Sequence, residues 1–186
     1  MPVPLDNGKM LALYASHGHR IKARCWEGGV WHPRIETQFA VPGYSLSAVS
    51  AWPFPDDEAF LTYLDGSRIL FTKYRFATNS FTPEEVVQNG VTGSSAPVLS
   101  YGWGGDLDLF WAGAPYDNHI FYKRNSGGVW DSSFTDWVDE NVELLASYDA
   151  LTSFYFSGNG RGLLYLTRPS PPYNIKFGVF LSGGPT

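Results

Sequence analysis

The chain repeats itself. Gly28-Gly-Val-Trp31 returns as Gly127-Gly-Val-Trp130, 99 residues on, and Phe81 stands between them, fifty residues after Trp31. Self-similarity at a fixed period is the signature of architectures built by stacking one small unit, because such a unit cannot bury its apolar face alone. A second marker is an apolar run ending in an aromatic: Leu46-Ser-Ala-Val-Ser-Ala-Trp52, Pro97-Val-Leu-Ser-Tyr-Gly-Trp103 and Asp149-Ala-Leu-Thr-Ser-Phe154. Trp52, Trp103 and Phe154 are 51 residues apart at each step. A third marker is Leu11-Ala-Leu-Tyr14, Leu61-Thr-Tyr63, Leu107-Asp-Leu-Phe110 and Leu163-Leu-Tyr165; a fourth is Ile21-Lys-Ala-Arg24, Ile69-Leu-Phe71, Ile120-Phe-Tyr122 and Ile175-Lys-Phe177. The markers keep one order in every unit, which divides the chain into repeats of about 1–44, 45–95, 96–147 and 148–186.

Each unit reads as four short strands. Aromatic and β-branched residues punctuated by Gly and Pro suit strands and tight turns, and aromatics make up 17% of the 186 residues, beside 20 Gly and 13 Pro. The second and third strands are joined at Ser16-His-Gly-His19, Asp65-Gly-Ser67, Tyr116-Asp-Asn118 and Ser170-Pro-Pro-Tyr-Asn174; Asp65-Gly66 is a two-residue hairpin signal. Polar and apolar residues alternate only weakly, so both faces of each sheet are expected to be covered. Sheets of four antiparallel strands packed face to face are the β-propeller pattern. The expected fold is therefore all-β, a β-propeller of about four repeats forming one domain over 1–186. Pro83-Glu-Glu-Val-Val87 is the one segment that reads as helical.

The ends carry a further expectation. Projected back 51 residues from Trp52, the first marker strand ends at residue 1; Ser182-Gly-Gly184 matches Ser126-Gly-Gly128 just before the chain stops. The first unit is thus expected to lack its first strand and the last unit its fourth, with Pro2-Val-Pro-Leu5 a poor edge strand. Exposed seams at 1–12 and 175–186 would then be covered by a second copy, giving a homodimer.

Composition removes several function classes. A net charge of −5 argues against a nucleic-acid surface. The single cysteine, Cys25, allows no internal disulfide framework. Without a basic, apolar leader or a long apolar run, the expected location is the cytoplasm, leaderless export looking the same, and no membrane partner is expected. No residue pattern asks for a cofactor.

The residues 11–14, 21–31 and 41–52, with weaker copies along the chain, resemble the fungal fucose-specific lectin family, six-bladed β-propellers typified by the orange peel mushroom lectin. The resemblance implies a sugar site with an Arg on the second strand, a Glu or Gln on the third, and an aromatic stacked nearby. Here the Arg place falls on Ala12, Leu61, Asp108 and Leu163, and the acid place on Ala23, Phe71, Tyr122 and Phe177. No unit keeps either residue, and the replacements are mostly apolar and aromatic. The grooves between blades are then either filled cores or apolar ligand pockets.

Arg24, Arg75 and Arg124 recur late in the third strand of three units, each with an aromatic close by: Trp26, Tyr74 and Tyr122. A cation beside an aromatic suits a sugar, an anion or a planar ligand, or else covers hydrophobic surface. Arg24, Trp26, Phe71, Tyr74, Arg75, Tyr122, Arg124 and Phe177 are the candidate ligand-binding set. His17-Gly-His19 has a metal-like spacing but sits in an expected turn, so no metal is assigned; His32 follows Trp31, and His119 stands in the equivalent turn of the third unit. Cys25 reads as a small buried strand residue, Asp56-Asp-Glu58 and Asp139-Glu140 as solvated loops, and Gly158-Asn-Gly-Arg-Gly162 as a turn. The leading reading is a lectin-like propeller holding a glycan or other small molecule. The alternative is a non-redox isomerase, cyclase or cycloaddition catalyst of natural-product biosynthesis working in an aromatic pocket, and a third is a protein-interaction scaffold.

Overall fold

A computed structural model describes residues 1–14, 19–41, 46–50, 58–91, 96–101, 105–113, 116–137, 151–156, 160–167, 174–181 and 184–185. They form four antiparallel sheets. Two compact units, Met1–Asn89 and Gly90–Thr186, hold two sheets each. The first sheet is β1 (Pro2–Pro4), β2 (Met10–Tyr14), β3 (His19–Glu27), β4 (Val30–Trp31) and β5 (Ile35–Val41). The second is β6 (Leu46–Ser50), β7 (Glu58–Asp65), β8 (Arg68–Arg75), β9 (Ser80–Phe81) and β10 (Glu85–Asn89). The third is β11 (Val98–Tyr101), β12 (Leu107–Gly113), β13 (Tyr116–Ser126), β14 (Val129–Trp130) and β15 (Thr135–Trp137); the fourth is β16 (Leu151–Phe156), β17 (Gly160–Thr167), β18 (Asn174–Leu181) and β19 (Gly184–Pro185).

The sheets share one register. Trp26 faces Trp31, Tyr74 faces Phe81, Asn125 faces Trp130 and Phe180 faces Pro185 across the turn after the third strand. One residue before that step, the carbonyls of Cys25, Lys73 and Arg124 accept from the N–H groups of His32, Thr82 and Asp131, each at 2.8 Å. In the first and third sheets the repeated Gly-Gly explains the turn, whereas the second sheet makes the same step through Phe76–Thr78 and Asn79. Gly28 and Gly29 have φ of 56° and 87°, Gly127 and Gly128 of 60° and 90°, the pair of positive values that a two-residue hairpin turn needs and that side chains resist. In the first three sheets the fourth strand comes in two pieces, a short one at this turn and an outer one, so β3, β8 and β13 each carry two partners on one edge.

In the first unit, Leu11, Leu13, Ile21, Ala23 and Cys25 of the first sheet pack with Ala59, Leu61, Tyr63, Leu70 and Tyr74 of the second. Burying each large side chain contributes roughly 1.5–3 kcal/mol, so this face-to-face seam holds the two sheets together. The second sheet is covered on its other face too, where Phe60 and Phe71 stack at 6.1 Å and are both buried. Two-faced burial is why alternation in the sequence is weak.

Four expectations are corrected. β1 fills the first-strand place in the first sheet, with Val3 opposite Leu11. Its prolines do no harm, because Pro2 and Pro4 turn their missing N–H positions away from β2 while Met1 accepts from Leu13 N–H at 2.8 Å. β19 fills the fourth-strand place of the fourth sheet at Gly184–Pro185. The segment read as helical ends in β10, where Glu85 and Val86 pair with Phe71 and Leu70; β-branched side chains and an open sheet edge override the Pro-Glu-Glu start. Tyr116–Asn118 lies inside β13 instead of forming the turn. The expected turns at 16–18, 170–173 and 158–159 lie outside the described residues, as do Asp56, Asp57, Asp139 and Glu140. Among the described residues no helix is long and apolar enough to cross a membrane, which says nothing of a membrane β-barrel.

Candidate functional site

Alternation along β2 and β3 sends Leu11, Leu13, Ala23 and Cys25 into the core and Met10, Ala12, Arg24 and Trp26 to the other face. The Gly28-Gly29 turn folds Trp31 back opposite Trp26 on that same face. There the Arg24 guanidinium lies over the Trp31 ring, 5.8 Å from its centroid, and Arg24 Nε donates to the carbonyl of His32 at 3.2 Å. The terminal nitrogens of Arg24 have no protein partner among the described residues. Trp31 is 41% exposed and Tyr14, farther along the face, 43%. Among the described residues the result is an exposed face with a fixed cation, N–H donors without a partner and indole surface.

Behind Arg24 stands a polar cluster on the core-side edge of the sheet. Glu27 receives Lys9 Nζ at 3.7 Å and lies 3.5 Å from His32 Nε2. Lys9 also sits 4.0 Å from the centroid of Phe76, and His32 meets the same ring edge-on at 5.4 Å. Phe76 belongs to a short turn of the second sheet, so first-sheet polar groups and a second-sheet ring share one site at the rim of the core.

The other candidate residues lie elsewhere. Arg75 is exposed and paired with Glu58 at 3.0 Å. Arg124 makes a two-pronged bond to buried Asp108, Nε to Oδ1 at 2.8 Å and Nη2 to Oδ2 at 3.3 Å. That bond raises the pKa of Arg124, against the opposing effect of burial. Tyr74 is buried, with its hydroxyl donating to Asn79 Oδ1 at 3.1 Å and its ring edge-on to Phe81. Phe71 is stacked on Phe60, and Tyr122 is tilted against Phe110 at 6.0 Å. Phe177 sits opposite Leu164 in the fourth sheet.

The register also separates the three arginines. The equivalent step holds Cys25, Lys73 and Arg124, so Arg24 falls one residue before it and Arg75 two after. Arg24 therefore points to the opposite face from Arg124. The same count makes Leu109, not Asp108, the partner of Ala12 and Leu61: Ala12 faces Arg24, Leu61 faces Thr72 and Leu109 faces Lys123. The misreading by one residue has a physical source. β12 runs past Phe110 to a bulge after Ala112, so Trp111, not Phe110, stands at the step of Tyr14 and Tyr63. Lys123 is buried on that face, and burial lowers its pKa, partly offset by Asp131.

His19 opens β3 and Cys25 is buried within it; His17 is outside the described residues. Among the described residues no three His, Cys, Asp or Glu gather in a way that could hold a metal. His119 is held through Nδ1 by Asp136 at 2.8 Å and stacks on Phe121. Sequence reasoning missed Lys9, Glu27, Trp31 and Phe76 as site residues and weighed His32 only beside the metal-like histidines. Trp31 was within reach, because a two-residue turn at Gly28-Gly29 places it opposite Trp26.

No family model and no curated protein sequence matches the chain. Solved structures do. AofleA of Arthrobotrys oligospora superposes with a TM-score of 0.70 at 14% identity, covering 98% of this chain and 53% of its own. The Aleuria aurantia lectin, described as a fungal lectin with a six-bladed β-propeller and a novel mode of fucose recognition, gives 0.67 at 14% over 96% of this chain and 55% of its own. The fold is that of the fungal lectin β-propellers. SapL1 lectin, solved with alpha methyl fucoside, gives 0.61 at 15% over 98% and 60%. The chain thus spans between half and two thirds of the length of these structures.

Proposed function

We propose that the chain is a carbohydrate-binding module, and that it takes a saccharide on the first-sheet face carrying Arg24, Trp26 and Trp31. The observation that carries the reading is Arg24 itself: a guanidinium anchored through Nε, with no partner for its terminal N–H groups among the described residues, beside an exposed indole. Charge-assisted donors suit sugar hydroxyls, and an indole face suits the apolar C–H surface of a pyranose. The lectin fold of the solved structures supports binding over the aromatic-pocket catalyst. Sugar identity is left to measurement, because the resemblance puts its Arg place on Ala12, Leu61, Asp108 and Leu163, the strand register moves the third of these to Leu109, and none is an Arg.

Glycan-array screening followed by calorimetric titration tests the reading. Saccharide binding that weakens about tenfold or more in Arg24→Ala is expected, on the scale of losing a charged hydrogen bond. No binding of any saccharide at millimolar ligand would defeat it.

A further inference from the structure

Arg24 is useful to a ligand only if the acceptor that holds its Nε is itself fixed. That acceptor is the carbonyl of His32, whose peptide continues into Pro33. Pro33 and Arg34 lie between β4 and β5, outside the sheet ladder, so strand pairing pins this peptide only on its N-terminal side, where His32 N–H of the preceding peptide donates to the carbonyl of Cys25 at 2.8 Å. The second side is supplied by another sheet. Asn79 Nδ2 donates to the carbonyl of Pro33 at 3.1 Å. Asn79 sits at φ 43°, in the left-handed region, and closes the turn with its N–H on the carbonyl of Phe76 at 3.0 Å. Phe76 braces the His32 ring edge-on, with Glu27 near His32 Nε2. Asn79 is anchored in turn by the Tyr74 hydroxyl on its Oδ1.

We propose that Asn79, with the turn of residues 76–79, is a positioning residue for the Arg24 site, and this rests on the saccharide-binding reading above. It touches no ligand. It holds the Pro33 carbonyl, in the peptide that follows the His32–Pro33 bond, from the second sheet, so that the His32 carbonyl is flanked by a fixed neighbour and Arg24 presents its terminal N–H groups in one geometry. Left-handed backbone at Asn79 is what brings the carboxamide to Pro33, and Asn tolerates that conformation better than most side chains. Specificity at the first sheet is thus partly set by the second, and the two cannot vary independently.

The test is Asn79→Asp, which keeps an acceptor for Tyr74 and tolerance of the left-handed backbone while removing the donor to Pro33. Two readouts are taken. In the ligand-free protein, the ¹⁵Nε–Hε resonance of Arg24, assigned by its loss in Arg24→Lys, is expected to exchange with water faster in Asn79→Asp by about threefold to tenfold. Saccharide affinity is expected to fall by a similar factor, and the Arg24→Ala, Asn79→Asp double variant to bind no worse than Arg24→Ala. An unchanged Nε–H resonance, or losses that multiply in the double variant, would overturn the proposal. A loosened Nε–H in a protein whose wild type binds no saccharide would overturn the functional reading while upholding the positioning role. If Asn79→Asp fails to fold, Glu27→Gln, which weakens the contact to Nε2 of the same His32 ring, is expected to move both readouts the same way.

Discussion

Arginines that look alike in the sequence do different work because a strand reverses its face at every residue. Arg24 is exposed and, among the described residues, hydrogen-bonds through Nε alone; Arg124 closes on Asp108, whose side chain is 1% exposed. Arg24→Ala is therefore expected to change unfolding free energy by less than about 0.5 kcal/mol. Arg124→Ala removes the two-pronged cationic bond to a buried carboxylate and is expected to cost about 3–5 kcal/mol, read by urea denaturation of both variants. This departs from the sequence reading, in which both arginines served a ligand. Tyr63 gives a second residue-scale prediction. Burial first, then the Glu84 carboxylate to which it donates, hold its phenol above the usual 10.0. Above that value the unfolded chain gives up a proton that the native state keeps. The stability from this group is whole below about pH 10 and falls as the pH rises further. Urea unfolding across the alkaline range is expected to show a steeper loss in wild type than in Tyr63→Phe; equal slopes would show that Tyr63 is not the group responsible.

At the scale of elements, strand order was legible because turn chemistry is local. Asp65-Gly66 and the two Gly-Gly-Val-Trp hairpins form where their residues require them, with positive φ at Gly66, Gly28 and Gly127. Gly28→Ala and Gly127→Ala are each expected to cost about 1–2 kcal/mol, the strain of a side chain in left-handed backbone, measured by chemical denaturation; a neutral effect at both would mean the turns are not what fixes the shared register. What the sequence hid was non-local or one residue out of frame. β1 pairs in spite of two prolines because only Val3 needs to face β2, a matter of edge geometry and not of propensity. β10 is a strand because β8 offers it an edge. The site was half legible: Arg24 and Trp26 stand in adjacent text, but Phe76 and Asn79 reach His32 and Pro33 only after two sheets have packed. Asp108 was assigned to the wrong step because an aromatic at Phe110 imitates Tyr14.

At the scale of the molecule, four sheets in one register and the likeness to lectin propellers make this an all-β repeat fold. With β1 and β19 in place, missing strands no longer argue for a homodimer, which stands as a proposal for light scattering: a mass of about twice 20.7 kDa would uphold it, and the single-chain mass at high micromolar concentration would remove it. The central claim is that the Arg24 face binds a saccharide. It meets its most direct test in calorimetric titration of wild type and Arg24→Ala with the strongest glycan found on an array. The account predicts saturable binding by wild type and a loss of about tenfold or more in the variant at unchanged stability. Equal affinity in the two proteins, or no saccharide binding by wild type at millimolar ligand, would contradict it.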